Sequence, residues 1–554
     1  METIDSDVLV IGSGGAGLRA AIEAQKHGVK TVIVCKGGFP SGCSLHAMGA
    51  MQAAFKPQDF ETYLGDTVVG GRFINSQVLV RKMVEESVEA VKDLEDFGTS
   101  FEKGDEGYRL FAFGGYSQPR AIVSSRPYSG GWMEGLVKKV RELNIEVIDY
   151  TMITRLLTNG GKVVGAVGLN LKTGGVIVLR SKSTILATGG AGHLYPITTN
   201  PPGTTGDGYA IAYQVGAELT DMEFIQFRAC IVYPPILRGH PPPADGMISV
   251  GGRFYNVLCE RYMKKYDPIN GENVTRDLIA IYTYKEIKEG RGTSHGGVYN
   301  DLSGVPEEEL KRFKSFLQAC KNAGIDPGWQ PIEWAPGAHH FMGGVIIDEY
   351  AQTSINGLFA CGEVTAGIHG ANRLAGNALT DALVFGKIAG ISAARKALSE
   401  TLPEIPKEQA ESEMNRLYSI YEREDGVDYR LIRVEVQNIM NSYVGVIRRG
   451  DELIKAVNEL NRIGEKAQSL YIASEKKTYR ELGELLETIN LITVGWIVAK
   501  AALLRTESRG AHYREDFPKE NNSEWLKNIV FSHNNGETLV KIKPVNLIYI
   551  KPAA

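Results

Sequence analysis

The sequence predicts an α/β fold: a Rossmann-like dinucleotide-binding unit with an inserted α+β segment, followed by a helical domain. Three observations predict it. Asp7-Val-Leu-Val-Ile11 is a short, unbroken apolar run of the buried-strand kind, and Gly12-Ser13-Gly14-Gly15-Ala16-Gly17 follows at once. A helix of small residues then runs to His27, stops at Gly28 and gives way to a second apolar strand, Thr31 to Val34. Far along the chain, residues 337–390 supply two more short apolar runs, glycine-broken loops and a helix rich in small residues.

A GxGxxG pattern alone says little. Between a strand and a helix it has a mechanism: a tight turn, a backbone that approaches a pyrophosphate, and a helix N-terminus aimed at that charge. One part of the fingerprint is missing. The second strand ends Val34-Cys35-Lys36, without the Asp or Glu that holds an adenosine ribose in a standard NAD site. That disfavours NAD and leaves Lys36 at the cofactor. In residues 337–390, His339-His-Phe-Met-Gly-Gly344 leads into the apolar run Val345 to Ile347, and Gly357-Leu-Phe-Ala-Cys361 ends in Gly362-Glu363. A carboxylate there suits a ribityl or ribose group, as in FAD proteins. Gly376-Asn377-Ala378-Leu379 opens a helix whose small residues suit close approach to an electron-rich ring. Arg373, with His339 and His369 in the same loop set, suits a dicarboxylate.

With 554 residues the chain has room for several domains, and its 63 glycines fit a fold with many close turns. A formal charge of -4 and the lack of any dense Lys/Arg run argue against nucleic acid or a membrane surface as the main partner. The first residues are acidic and run straight into a strand, unlike a signal peptide, so a cytoplasmic protein is expected. The apolar stretch from Leu491 to Leu504 is too short to span a bilayer and reads as a buried helix, so no direct membrane insertion is expected. Six cysteines, at 35, 43, 230, 259, 320 and 361, show no CxxC spacing, so the chain offers no iron–sulfur or other metal motif.

Residues 59–97 read as helices, with Val80, Met83, Val84, Val88 and Val91 on one face. A hairpin is expected about Asn159-Gly160. Thr184 to Gly190 is a strand that ends in a glycine turn, bringing Ala187, Thr188 and Gly189 to the cofactor. Gly203-Thr-Thr-Gly-Asp207-Gly then opens a helix; Asp207 reads as a dinucleotide contact, with a helix N-cap as the alternative. From 221 to 338 the chain is richer in Pro and Arg and poorer in parallel-strand signals. Beyond 401 it is helical, and residues 529–550 read as strands about Asn535-Gly536.

These pieces together resemble the flavoprotein subunit of the succinate dehydrogenase and fumarate reductase family over nearly the whole chain. The motifs that carry the resemblance are HxxMGG at His339, HGANRLxGNxLxDxxVFG at His369, EGRG at Glu289, TGDG at Thr205 and ESRGAHYREDFP at Glu507. The resemblance implies FAD-binding parts at 1–220 and 339–400, a capping domain at 221–338, a helical domain at 401–528 and a C-terminal β segment at 529–554. It implies FAD, fumarate or succinate as the dicarboxylate, and a separate iron–sulfur electron-transfer subunit, as in the respiratory enzymes or the thiol-driven fumarate reductases of methanogens.

The same resemblance assigns residues. Residues 39–55 resemble the flavin-covering segment, with Gly49, Ala50 and Met51 at the cofactor. Cys43 falls where a His often links covalently to the flavin, so non-covalent FAD is expected. Arg373 and His339 hold one carboxylate. Arg291, in Glu289-Gly-Arg-Gly292, resembles the proton donor, and Asp245 falls at the relay acid. Arg228 stands where the family has a His for the second carboxylate; it either holds that carboxylate or marks a different substrate. L-aspartate oxidase, an adenylylsulfate reductase-like enzyme and another enoate-reducing flavoprotein remain alternatives.

Overall fold

The computed structural model describes residues 2–105, 107–126, 130–240, 242, 247–248, 250–534 and 536–553. The chain begins with β1 (Glu2–Ile11), α1 (Gly15–Lys26) and β2 (Thr31–Val34). Val8, Leu9 and Val10 have no exposed surface, so β1 is buried on both faces, as a central parallel strand must be. Next come β3 (Glu146–Ile148), the hairpin β4 (Thr151–Asn159) and β5 (Lys162–Asn170), and β6 (Val176–Leu186). The sheet order is β3-β2-β1-β6-β5-β4. β3, β2, β1 and β6 run parallel, and β5 and β4 add an antiparallel flank. A distant strand, β7 (Leu358–Ala360), also pairs with β6 in parallel. The C-terminal ends of β1, β2, β6 and β7 therefore open toward one crevice, the usual ligand position in such sheets.

Residues between the two parts of this unit form a second sheet, antiparallel. Its strands are β8 (Ile225–Tyr233), β9 (Arg253–Tyr255), β10 (Val298–Asp301) and β11 (Ile332–Phe341), in the order β8-β11-β10-β9. The helix α2 (Arg276–Glu286) packs against it. Gln226 pairs with His340, yet Phe227 pairs with Ala338, so the ladder carries a bulge at His339. A bulge re-aims a side chain and breaks local pairing, and here it falls on a residue of the site.

The chain then returns to the first sheet with α3 (Asn377–Leu398), which lies on α1. A Cβ on Gly386 would sit 2.7 Å from the Ala16 carbonyl oxygen, and one on Gly390 would sit 2.3 Å from that of Ala20. The two backbones approach this closely because those side chains are absent. The last third is helical: α4 (Tyr429–Tyr443), α5 (Gly450–Lys466) and α6 (Tyr479–Leu504) pack on one another. α6 is long and apolar enough to cross a membrane, but 78% of its apolar window is buried inside the fold, so it is a core helix. The fully buried Arg505, just beyond α6, joins Glu223 and Glu507 at 2.7 and 2.9 Å and ties the helices to the start of the antiparallel unit.

The α1–α3 contact makes a stability prediction. Gly390→Val forces backbones apart and should cost about 1–3 kcal/mol, read as a lower Tm. Because α1 carries the glycine turn, flavin retention should fall with it.

Candidate functional site

A cavity of about 780 Å³ opens at the strand ends. Gly12 holds φ +119°, and a Cβ there would meet the Ala187 carbonyl oxygen at 2.2 Å, so only glycine makes this turn. α1 starts without a side-chain cap and without an acidic residue in its first turn. Its N-terminal N–H groups and the positive end of its dipole are left for an anion. Ser13, Gly14, Gly15 and Ala16 line the wall beside it, with Ala187, Thr188 and Gly189 from the end of β6. Thr188 Oγ1 is buried and has no hydrogen-bond partner. Such a cradle of backbone donors and one orphaned hydroxyl fits a dinucleotide pyrophosphate.

Beyond β2, Lys36 Nζ donates to Thr205 Oγ1, Asp207 Oδ2 and Glu487 Oε1 at 2.9, 2.6 and 2.7 Å. Burial opposes its charge, but Asp207 and Glu487 hold the ammonium above its ordinary pKa. On the β7 side, Glu363 lines the cavity; its Oε1 accepts the Phe341 N–H at 3.1 Å and its Oε2 lies 3.4 Å from His340 Nδ1.

The far end is cationic. Arg228 from β8, Arg276 from the start of α2, His339 from β11 and Arg373 all line the same cavity. Gln226 binds two of them together: its Oε1 accepts from Arg276 Nη1 at 3.1 Å and from Arg373 Nη2 at 2.9 Å. Its Nε2 donates to Asn372 Oδ1 and to the Arg373 carbonyl, which fixes the amide orientation. His339 Nδ1 meets Thr199 Oγ1 at 2.7 Å. Burial, then Arg228, Arg276 and Arg373, push the His339 pKa well below its ordinary value, so the ring is neutral. Three guanidinium groups around a neutral imidazole form a receptor for a dianion.

Comparison with known proteins decides the family. Residues 7–379 match the FAD binding domain family, and residues 433–554 match the fumarate reductase flavoprotein C-terminal family. The chain is 41% identical over 539 residues to one subunit of the fumarate reductase (CoM/CoB) of Methanothermobacter marburgensis, covering 96% of this chain and 98% of that one. It is 34% identical over 552 residues to an L-aspartate oxidase of Nicotiana tabacum, covering 95% and 84%. The FrdA chain of E. coli quinol fumarate reductase superposes with a TM-score of 0.93 at 29% identity, covering 100% and 99%. The chain belongs to the fumarate reductase and succinate dehydrogenase flavoprotein family. It is an FAD-dependent oxidoreductase of the kind that acts on a CH–CH bond.

Within this flavoprotein the sequence-predicted residues divide. The cavity wall includes Gly12 to Ala16, Lys36, Gly49, Ala50, Ala187 to Gly189, Asp207, Glu363, Arg373, Ala378 and Leu379, together with Arg228 and His339. Asp207 is not an N-cap; that position belongs to Gly206. Three cofactor-side residues lie elsewhere. Gly17 closes the turn, since a Cβ there would meet the Gly12 carbonyl oxygen at 2.1 Å. Met51 is wholly buried, and Asn377 is bonded inside the core to Gln52, Tyr63 and Thr67.

The larger correction concerns Arg291. It is not part of the cavity wall. Its Nε and Nη2 donate to Glu286 at 2.5 and 2.8 Å, and Nη2 also reaches Glu289. Glu286, fully buried, further accepts from Asn256 and Tyr266, so Arg291 braces the antiparallel unit from outside the cavity wall. Arg276 is the residue that sequence reasoning missed. A signal was present: Thr275-Arg276-Asp277 opens a helix, where an arginine opposes the dipole and so calls for a reason. Asp245 lies outside the described residues.

His340 also reaches the wall. Burial pushes its pKa down to about 4, against the opposing pull of Glu363, while Arg373 lowers it further. The folded state thus prefers the neutral ring. The stability this gives is complete above the unfolded pKa of about 6.5 and is lost as pH falls to about 4, because the unfolded chain takes the proton first. His340→Phe should therefore flatten the acid end of the stability–pH curve, by about 3 kcal/mol in all. Denaturant melts between those pH values check it, and an unchanged slope would count against it.

Proposed function

We propose that this flavoprotein interconverts fumarate and succinate, and that it exchanges electrons with an iron–sulfur partner subunit. The observation that carries the substrate is the convergence of Arg228, Arg276, Arg373 and neutral His339 on one end of the cofactor cavity. FAD, when bound, supplies or accepts the hydride at flavin N5. Arg373, with its planar fork, and His339 take one carboxylate. Arg228, 7% exposed, takes the other with a full charge. These cations offset the carbanion character that develops at the alkene, in a site where low solvent access strengthens them. Arg276, braced by Gln226, delivers the proton to the second alkene carbon. Asp245 enters as the relay acid by family resemblance alone.

The partner rests on similarity to a methanogen protein that is itself one part of a larger fumarate reductase, and on the absence of any cluster-ligand spacing in this sequence. The same similarity supports an enzyme of the electron-transport kind in the cytoplasm, with any contact to the inner membrane face made through a partner. Aspartate oxidase, a more distant relative at 34%, is the weaker reading.

Kinetics with an artificial one-electron donor test the roles. Arg276→Lys should lower kcat about a hundredfold to ten-thousandfold, the range of a lost general acid, with little change in KM. Arg291→Lys should leave kcat near wild type. Arg228→Ala should raise the fumarate KM about tenfold to a hundredfold, as a buried charge-assisted bond is lost. The dicarboxylate assignment falls if Arg228→Ala leaves fumarate affinity untouched.

Cys43 bears on how FAD is held. Burial, then the charge of Glu363, pushes its thiol up to about 12, so it stays protonated and non-nucleophilic at neutral pH. Acid precipitation should release all the FAD into the supernatant. Yellow colour left on the denatured pellet would contradict this.

A further inference from the structure

The second strand lacks the acidic residue that normally holds the adenosine ribose. The sheet shows which end of the cavity needs one. The glycine turn and α1 fix the pyrophosphate at β1, and the cationic cluster lies on the β6–β7 side, so the adenosine half belongs on the β2 side. There the wall is not made by the FAD unit alone. Arg433 from α4, and Arg480, Gly483, Glu484 and Glu487 from α6, line the cavity.

Hydrogen-bond capacity selects one residue among these. Lys36 has three N–H donors, and all three are spent on Thr205, Asp207 and Glu487. Asp207 accepts from Lys36 on one oxygen, and from Thr205 and Asn490 on the other at 3.0 and 2.9 Å. Glu487 accepts one bond per oxygen, from Lys36 at 2.7 Å and from Arg433 at 3.1 Å. A carboxylate oxygen has two lone pairs, so each oxygen of Glu487 keeps one open, the number that two neighbouring hydroxyls require. Glu487 is 7% exposed, and that surface faces the cavity. Burial raises its pKa, but Lys36 and Arg433 bring it below the ordinary carboxylate range, so it is ionised and acceptor-only. Glu484, one turn earlier on α6, is 36% exposed at its side chain and holds the Tyr429 hydroxyl at 2.7 Å. A solvated carboxylate gains little from a sugar hydroxyl.

We propose that Glu487, from the helical domain, holds the cis-diol of the adenosine ribose of FAD, in place of the acid that β2 lacks. Lys36 and Arg433 are its positioning residues. Cofactor binding then bridges the FAD unit and α6. The proposal rests on FAD being the cofactor and is independent of the fumarate reading, since its test needs no substrate.

The full-length chain, stripped of flavin and refilled with FAD or with FAD bearing a 2′-deoxyadenosine, gives that test by flavin-fluorescence titration. Wild type should prefer FAD by about tenfold or more, the least that a lost bond to a charged group implies. Glu487→Ala should bring the two flavins to nearly equal affinity, and Glu487→Gln, which keeps the shape and one acceptor, should fall between. Glu484→Ala should keep the full preference. The proposal is overturned if wild type shows no preference, if Glu487→Gln and Glu487→Ala keep it, or if it disappears with Glu484 instead. A wild type that binds neither flavin overturns the FAD assignment, which is a separate failure.

Discussion

Like charges do not gather in a protein interior unless fixed dipoles offset their repulsion. The cationic end of this cavity uses such a dipole, the side-chain oxygen of Gln226, which accepts from both Arg276 and Arg373. The amide is itself held at its other end by the loop that carries Arg373. Two guanidinium groups from different parts of the chain are thereby set in a common geometry before any ligand arrives. This is preorganisation in the electrostatic sense: a cluster suited to negative charge is built at folding, with its dipoles already in place.

The bulge in the antiparallel sheet performs the matching geometric task. Gln226 and Arg228 share one face of β8, and the extra residue at His339 lets β11 bring its imidazole to the same place. Without that extra residue the alternation of side chains would carry the ring to the other face. Burial first, and then its cationic neighbours, keep the imidazole neutral, so it adds hydrogen bonding without adding repulsion.

What the sequence revealed followed from locality. The glycine turn, α1 and the strand before it are contiguous, and each has a steric reason visible in the residue types themselves. Glu363 and Arg373 could be placed because they sit at the end of a strand and in a loop beside a helix start. Arg291 was misplaced because a motif names a neighbourhood and not a direction: EGRG follows α2 by a few residues, while the residue that points into the cavity opens that helix. Met51 and Asn377 were misplaced for the same reason, being one residue from neighbours that do line the wall. Glu487 carried no local mark at all, since an acidic residue in an apolar helix reads as an exposed position until its partner Lys36 is found beside it.

The separation of those two residues along the chain is 451 positions. The wall about Lys36 is therefore finished only when α6 has been made, and the wall opposite only when Glu363 and Arg373 have been. During synthesis the glycine turn emerges almost first and waits for its counterparts. FAD loading of the complete site thus has to follow the making of α6, and the N-terminal half keeps an open crevice until that helix packs against it.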